Sequence, residues 1–175
     1  LPQVNYLVFQ NENLKEKEIQ NKLINEILKK LNFPIFVKPS NSGSSLGISK
    51  VNNESEILQA LEKARGIDPR ILVEEGLEVR EIECGIIGSS KLLTSVLGEV
   101  KYESDWYDFN SKYYSNNKIT IPAEIDSKIT KEIKEIAIKS CRALNIFGFA
   151  RVDFFIEKSS NKILLNEINT IPGFT

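Results

Sequence analysis

The 175-residue chain contains no histidine and no methionine, and it has only two cysteines. Without histidine it cannot supply a Ser-His-Asp or Cys-His catalytic arrangement, nor a histidine-ligated zinc ion. Cys84 and Cys141 are isolated and lack C-x-x-C spacing, so we interpret them as buried structural thiols rather than a disulfide framework. Because methionine is absent, the chain does not start at an initiator residue, and we expect a segment of a longer protein.

Long apolar runs and an excess of one charge are missing as well. The 23 basic and 24 acidic residues give a net charge of −1, so no overall positive field attracts nucleic acid. No run of about 18 apolar residues and no signal-peptide pattern occurs, so we expect a soluble cytoplasmic protein without membrane partners. Hydrophobic residues make up 41% of the chain, enough to bury a core, and the length allows one domain or a domain of two lobes.

The segment from Gly148 to Thr175 predicts a β-hairpin, because two β-rich runs flank a short polar turn. Side chains alternate between the two faces of a strand. The residues expected to share a face are Phe149, Arg151, Asp153 and Phe155 in the first strand, and Ile163, Leu165, Glu167 and Asn169 in the second.

Arg151, Asp153, Glu167 and Asn169 can converge on one patch if these two strands pair. Mg²⁺ takes hard oxygen ligands and often shares them with substrate phosphates, whereas arginine suits an anion that gains charge during a reaction. The alternative is a solvated sheet face with cross-strand ion pairs. Because apolar residues surround the polar ones, we favour a metal site.

A Gly/Ser-rich loop follows a predicted strand at residues 35–38 and precedes a strand at 48–51. Such a loop can fold over phosphates and donate backbone N–H groups and hydroxyls, and Lys38 at the strand end could add a point charge. The sequence is not a G-x-x-x-x-G-K-[ST] loop. A flexible hairpin turn is an equally good interpretation of this stretch alone.

Two further stretches allow a ligand-binding and a structural interpretation. A strand at residues 71–74 enters a glycine-containing linker, which suits an adenine slot but also an ordinary crossover between lobes. Residues 103–117 form an aromatic and polar loop that is either a lid or an aromatic anchor. Nucleic-acid stacking is disfavoured there, because the aromatic residues lack basic neighbours.

The remaining patterns alternate short strands with amphipathic helices. Asn13 is predicted to cap the first helix with Glu16 in a capping box, and that helix extends to about Leu31. A long helix is predicted to begin at Asp126 or Ser127. This alternation predicts an α+β fold with two small sheets and a cleft between them.

Five motifs in order closely resemble the ATP-grasp part of the D-alanine–D-alanine ligase family. The resemblance covers nearly the whole chain, although each motif alone is weakly specific. The motifs are VKPSNSGSSLGISKV around Lys38–Gly47, EEGLEVREIE at Glu74–Glu83, WYDFNSKY at Trp106–Tyr113, GFARVDFF at Gly148–Phe155 and NEINTIPGFT at Asn166–Thr175.

The resemblance implies an ATP-grasp domain with two lobes, about residues 1–78 and 79–175, and mainly antiparallel sheets around a nucleotide cleft. It implies an ATP-dependent ligase that joins two D-alanines through an acyl phosphate, for peptidoglycan synthesis. This chemistry needs no protein nucleophile, which agrees with the absence of histidine. The alternatives are another ATP-grasp carboxylate–amine ligase and a non-catalytic nucleotide-binding module.

The resemblance also implies the roles of individual residues. Asp153, Glu167 and Asn169 should hold Mg²⁺ or Mn²⁺, with two ions expected. Arg151 should stabilise the charged transition state. Contacts to ATP are expected from Lys38, Ser44, Ser45, Glu74, Glu75, the backbone near Leu77, Glu81 and Lys112.

Three further roles concern the substrates. Ser44 should lie on the loop that closes over the γ-phosphate, and the Gly173 N–H should contribute an oxyanion site. Tyr113 should tie the lid to the serine-rich loop, and its presence favours D-alanine over D-lactate as the second substrate.

The chain departs from the family in ways that bear on these expectations. Glu75 stands where several members have a lysine near adenine. The family's N-terminal domain, an upstream ATP-contacting lysine and the segment after Thr175 are missing. We therefore expect this fragment to be inactive by itself and the full-length protein to be a homodimer.

Overall fold

The computed structural model describes residues 1–10, 12–101 and 118–173. The predicted lid at residues 103–117, with Lys112 and Tyr113, lies outside the described residues. The elements in chain order are β1 (Tyr6–Gln10), α1 (Lys17–Lys30), β2 (Ile35–Pro39), β3 (Ser49–Val51), a 3₁₀ turn (Glu54–Glu56), α2 (Ile57–Arg65), β4 (Arg70–Glu75), β5 (Val79–Gly88), β6 (Leu92–Lys101), β7 (Lys118–Thr120), α3 (Ser127–Ala143), β8 (Gly148–Glu157) and β9 (Ile163–Asn169).

The described residues divide into two compact units. The first unit is Val4–Leu77, and the second combines Leu1–Gln3 with residues 78–101 and 118–173. Among the described residues, the first unit contains one antiparallel sheet with α1 and α2, the second contains one antiparallel sheet with α3, and each has its own hydrophobic core. The α+β architecture expected from the alternating patterns is therefore confirmed.

The first unit is built on a four-stranded sheet in the order β1-β4-β2-β3. Alternation places Val37 and Val73 on one face, where both are fully buried against residues of α1 and α2. Lys38 and Glu74 are the next residues along their strands, so they occupy the opposite face. Burial of one face by two helices thus fixes which side chains the other face presents.

The second unit is built on a five-stranded sheet in the order β7-β6-β5-β8-β9. Val152, Phe154 and Ile156 of β8 are buried in a core that includes Ile133 and Ala137 of α3. The alternate residues of β8 therefore lie on the opposite face, as the two-residue period predicts. Cys84 and Cys141 are buried in the same core, which confirms the structural interpretation of both thiols.

The start of the first helix differs from the prediction. Helix α1 begins at Lys17, whereas Asn13 belongs to a preceding turn in which the Glu16 N–H donates to the Asn13 carbonyl at 3.1 Å. The Asn13 Oδ1 accepts from the Lys15 N–H at 3.2 Å, so its side chain stabilises this turn instead of the helix. Asp126 behaves as predicted, because its Oδ1 accepts from the Lys128 N–H at 2.7 Å and caps α3.

Membrane insertion through a helix finds no support in the part of the chain that the structure describes. None of the described helices is both long and apolar enough to cross a bilayer.

Candidate functional site

The pairing of β8 with β9 brings the four predicted polar residues together. Arg151 lies opposite Asn169, and Asp153 lies opposite Glu167. On the other side of β8, Asp153 lies opposite Glu83 of β5. We call these five residues, Arg151, Asp153, Glu167, Asn169 and Glu83, the carboxylate cluster.

Hydrogen bonds connect the members of the carboxylate cluster. The Arg151 guanidinium donates to both oxygens of Asp153, from Nε to Oδ1 and from Nη2 to Oδ2, each at 2.7 Å. The Asn169 Nδ2 donates to Asp153 Oδ2 at 2.9 Å and to Glu167 Oε1 at 3.2 Å. Arginine–carboxylate pairs with two parallel hydrogen bonds have a fixed geometry, so the side chains of Arg151 and Asp153 hold each other in one orientation.

A β-bulge in β9 determines which way Glu167 faces. Phe154 pairs with Leu165, but the next residue of β8, Asp153, pairs with Glu167, so Asn166 is the extra residue. The prediction that Ile163 and Leu165 share a face with Glu167 and Asn169 is therefore wrong. Both aliphatic residues lie in the core. Without the bulge, Glu167 would lie opposite Val152 and face that core.

Glu83 is a member of the cluster to which the sequence assigned no role. Its Oε1 lies 3.2 Å from the Arg151 Nε, so Arg151 contacts two carboxylates. The sequence contained a signal for this position, because two glutamates, Glu81 and Glu83, flank the apolar Ile82 in a predicted strand. The structure buries Ile82 completely, so both glutamates lie on the opposite face. Three carboxylates and one guanidinium give the cluster an excess of negative charge.

The ionisation of Asp153 reflects opposing influences. Burial raises the pKa of its carboxyl to about 6, the Arg151 hydrogen bonds and charge act in the lowering direction, and the Glu83 and Glu167 carboxylates raise it further. The Asp153 hydrogen bonds in turn raise the pKa of Arg151 above its ordinary value. At neutral pH the pair is therefore ionised.

The donor chemistry of the cluster fits a hard divalent cation that shares further ligands with a phosphate. The Asp153 and Glu167 carboxylates and the Asn169 amide offer oxygen donors from adjacent strands. Residues 1–10, 12–101 and 118–173 contain no group of three or more His, Cys, Asp or Glu side chains arranged to hold a metal by themselves. A cation here would have to compete with Arg151 for Asp153 and complete its coordination from outside the protein.

Lys38 and Glu74, two of the residues expected to contact ATP, meet in the first unit. The Lys38 Nζ lies 2.7 Å from Glu74 Oε2, and the two side chains are only 20% and 17% exposed. They lie on adjacent strands, because Lys38 pairs with Leu72 and Phe36 pairs with Glu74. Two expected ligand-binding groups thus form one half-buried ion pair on the face opposite the helices.

The serine loop, defined as residues 40–48, connects β2 to β3. Ser44 and Ser45 have positive φ angles of 55° and 56°, a conformation that non-glycine residues adopt infrequently and that is often found at functional sites. The Leu46 N–H donates to the Gly43 carbonyl at 3.1 Å, and the Ser42 hydroxyl donates to the Leu46 carbonyl at 2.9 Å. The loop therefore has internal structure rather than being an open hairpin turn.

Glu75 is on the face opposite to Glu74, and three hydrogen bonds hold its carboxylate. Oε1 accepts from the backbone N–H of Asn32 at 3.0 Å and from its Nδ2 at 2.9 Å, while Oε2 accepts from the Asn5 Nδ2 at 2.8 Å. These bonds connect β4 to the segments before β1 and after α1. The Glu75 side chain therefore has a structural function in this unit.

The remaining expected site residues lie in the linker after β4, on β5 and after β9. At Gly76, in the predicted adenine linker, a Cβ would meet the Pro34 carbonyl oxygen at 2.8 Å, which explains the glycine. Leu77 is half-buried, as is Glu81, which lies opposite Phe155. Gly173 is exposed beyond the end of β9.

Asp68 is a buried carboxylate that sequence reasoning missed. It is 5% exposed and accepts hydrogen bonds from the backbone N–H groups of Arg70 and Asn41. The available signal was its Asp-Pro dipeptide immediately before a strand, which is typical of a turn.

Known proteins similar to this chain agree with the fold and the motif order. A family model described as the C-terminus of D-ala D-ala ligases matches residues 1–175. A D-alanine–D-alanine ligase of Prochlorococcus marinus (strain MIT 9301) is 86% identical over 175 residues, which are all of this chain and 49% of that protein. The chain thus spans about half the length of the curated relatives it matches.

Solved structures of related ligases are also similar to this chain over its whole length. The D-Ala:D-Ser ligase VanG of Enterococcus faecalis is 35% identical with a TM-score of 0.85, over all of this chain and 49% of that one. The D-alanine–D-alanine ligase of Coxiella burnetii is 31% identical with a TM-score of 0.76, over all of this chain and 44% of that one. The expected ATP-grasp fold is confirmed, and the chain belongs to the D-alanine–D-alanine ligase family, whose C-terminal part it matches.

Proposed function

We propose that the full-length protein carrying this chain is an ATP-dependent ligase that joins two D-alanines for peptidoglycan synthesis. The observation that carries the proposal is the carboxylate cluster, in which two carboxylates, an amide and a guanidinium meet across β8 and β9. Family membership adds the substrate class, because the relatives at 80–86% identity are D-alanine–D-alanine ligases.

The proposed reaction has two steps, and neither requires a protein nucleophile. A carboxylate oxygen of the first D-alanine attacks the γ-phosphorus of ATP, the bond to the bridging oxygen breaks, and ADP leaves with the bonding electrons. The amine of the second D-alanine attacks the resulting acyl phosphate, loses a proton, and expels inorganic phosphate from a tetrahedral intermediate. Catalysis of this kind depends on positioning and charge stabilisation, which a chain without histidine can provide.

The first unit would bind the nucleotide. Lys38 would contact the phosphates, and Glu74 with the backbone near Leu77 would contact adenine. The Lys38–Glu74 ion pair at 2.7 Å supports these roles, because it holds a cation and an acceptor on one face before ligand binds. Ser44 and Ser45 would present the serine loop to the γ-phosphate.

The second unit would bind the reacting phosphoryl group. Asp153, Glu167 and Asn169 would hold Mg²⁺ or Mn²⁺, which when bound neutralises charge on the phosphate oxygens. Arg151 is fixed by Asp153 and Glu83, so it would stabilise the charged transition state without reorientation. Glu81 would contact the ribose hydroxyls, and the Gly173 N–H would contribute an oxyanion site.

The other parts of the proposal concern two residues outside the described ranges, properties of the full-length protein, and Glu75. Lys112 would contact the phosphates, and Tyr113 would tie the lid to the serine loop. We also propose two bound metal ions, a homodimeric full-length protein and a cytoplasmic location. Glu75 would contribute to the nucleotide site through its backbone, because its carboxylate is engaged by Asn5 and Asn32.

The direct test is ADP release by the purified full-length protein with Mg²⁺, ATP and D-alanine. We expect release that depends on D-alanine and yields one D-alanyl-D-alanine per ADP. Parallel assays replace D-alanine as acceptor with D-serine, D-lactate or L-amino acids. The likeness to a D-Ala:D-Ser ligase makes the D-serine assay the most informative comparison.

The outcomes separate the competing functions. ADP release with a different acceptor in preference to D-alanine would identify another ATP-grasp ligase and contradict the proposed substrate. Binding of ATP without any ADP release would identify a nucleotide-binding module and contradict the ligase activity.

A further inference from the structure

Asp68 places a buried negative charge beneath the serine loop. It lies in the connection between α2 and β4, its side chain is almost inaccessible, and the proposed reaction does not use it. Its Oδ2 accepts from the Asn41 N–H at 3.0 Å, and its Oδ1 accepts from the Arg70 N–H at 2.6 Å. One carboxylate therefore joins the beginning of the loop to the beginning of a core strand.

A backbone hydrogen bond strengthens the same junction. The Ser40 N–H donates to the Arg70 carbonyl at 2.9 Å, so two consecutive loop residues are attached to the residues around Arg70. Strand β4 pairs on both sides, with β1 and β2, and contributes the fully buried Val73 to the core. The loop is thereby attached to an internal strand of its sheet.

The other end of the loop lies close to Ile67, the residue before Asp68. Gly47 has a φ angle of 80°, and a Cβ at this position would overlap the Ile67 Cδ1 and approach the Pro39 Cγ at 3.2 Å. Glycine is thus needed for both the conformation and the close approach. Ile67 and Asp68 contact the two ends of the loop and leave Ser44 and Ser45 between these supports.

The chemistry of the Asp68 contact requires a carboxylate. Both of its oxygens accept from N–H donors, and these bonds hold the pKa of Asp68 below its ordinary value, first through Arg70 and then through Asn41. An asparagine offers only one acceptor oxygen and would turn an NH₂ group toward one of the two donors. Hydrogen bonds to a charged acceptor are also stronger than those to a neutral one.

We infer that Asp68 is a positioning residue that fixes the serine loop for the phosphates of ATP. The inference rests on the proposed function, because it takes the phosphates as the ligand of this loop. Asp68 would not touch the ligand. It would act by keeping the loop backbone, with Ser44 and Ser45 in their left-handed conformations, in the arrangement that binds phosphate.

The test compares Asp68→Asn with Asp126→Asn in the full-length protein. Asp126 is a matched control, since it also accepts a hydrogen bond from the backbone N–H two residues later but lies at the start of α3 in the other unit. Gly47→Ala tests the other end of the loop independently. For each variant one measures the KM for ATP, kcat at saturating ATP, the melting temperature, and amide hydrogen exchange of Ser40 and Asn41.

We expect Asp68→Asn to raise the KM for ATP about tenfold, because binding must then reorder the loop. Exchange at Asn41 should accelerate by a similar factor, while kcat at saturating ATP stays close to that of the parent. Gly47→Ala should shift the KM in the same direction, and Asp126→Asn should leave it unchanged.

Two results would overturn the inference. One is an unchanged KM and unchanged Asn41 exchange in Asp68→Asn, and the other is a KM shift of equal size in Asp126→Asn. The exchange measurement does not need catalysis, so it tests attachment of the loop even if the parent protein releases no ADP. In that case the proposed function fails on its own assay, and unaltered exchange in Asp68→Asn would still refute the role of Asp68.

Discussion

The two sheet faces opposite the helices carry their charges differently. On the five-stranded sheet, the carboxylate cluster combines three acids with one arginine and has excess negative charge. On the four-stranded sheet, Lys38 and Glu74 form a neutral ion pair next to the serine loop. The first arrangement suits a cation, and the second suits an anion that takes the lysine and backbone N–H groups.

The comparison shows how one local rule yields two kinds of site. In both sheets the helix-covered face fixes the orientation of the strands, and the alternate residues are presented on the other side. The difference comes from what interrupts the alternation. A bulge at Asn166 reorients Glu167 and Asn169, whereas a loop attached to Asp68 and Arg70 follows Lys38.

The largest expected effect tests the bulge, which puts Leu165 on the core face while Glu167 lies opposite Asp153. Leu165→Glu should place an unpaired carboxylate in the core, which costs about 3 kcal/mol or more, because the bulge puts Leu165 opposite the buried Phe154. Urea unfolding of the chain measures this loss. Asn166→Ala keeps the extra residue and should change the free energy of unfolding by less than about 1 kcal/mol. Equal stability of the two variants would contradict the assigned register.

The next effect concerns the cation site of the cluster. In the full-length protein, Asp153→Asn and Glu167→Gln should each lower Mg²⁺-dependent turnover about 100-fold or more, because each removes a carboxylate that we propose binds the metal. The melting temperature should stay near that of the parent. Glu132→Gln, an exposed position on α3, is the matched control and should retain full activity. Undiminished turnover in both cluster variants would count against the metal assignment.

A smaller effect is expected on the other sheet. Lys38→Ala should raise the KM for ATP about tenfold, because the proposed charged contact to phosphate is lost and Glu74 loses its partner. Lys30→Ala breaks an exposed ion pair of the same 2.7 Å length with Glu26 and should leave the KM unchanged. The same KM in the parent and Lys38→Ala would remove the nucleotide role of Lys38.

The smallest effect concerns the hydrophobic core on the other face of the five-stranded sheet. Burial raises the pKa of the Cys84 thiol to about 11, so the folded chain retains a proton that the unfolded chain releases near pH 9. Stability should therefore decrease as pH rises from about 9 to about 11. A thiol reagent at pH 8 should label neither Cys84 nor Cys141 until the chain unfolds. Rapid labelling of the native protein would show that this core is open.

Periodicity was sufficient to predict the hairpin and the polar face of β8. The alternate residues Val152, Phe154 and Ile156 are buried, so Arg151 and Asp153 had to face the other way. The predicted strands also coincide with the observed ones to within one or two residues, because their apolar pattern follows the two-residue period.

The features that the sequence predicted wrongly or missed have local physical causes. Strict alternation contains no signal for an inserted residue, so Ile163 and Leu165 were assigned to the wrong face of β9. Asn13 matches the residue type of a helix cap but stabilises a turn ahead of the helix. The partners of Glu75 and the Asn41 partner of Asp68 are groups more than 25 residues away, which the local sequence cannot predict.

The central claim is that the carboxylate cluster holds a divalent cation against the triphosphate of ATP. The most direct measurement is the anomalous scattering of Mn²⁺ in crystals of the full-length protein with a non-hydrolysable ATP analogue. The account predicts a peak at about 2.1 Å from carboxylate oxygens of both Asp153 and Glu167 and from phosphate oxygens. A bound analogue whose Mn²⁺ peaks lie away from both carboxylates would contradict it.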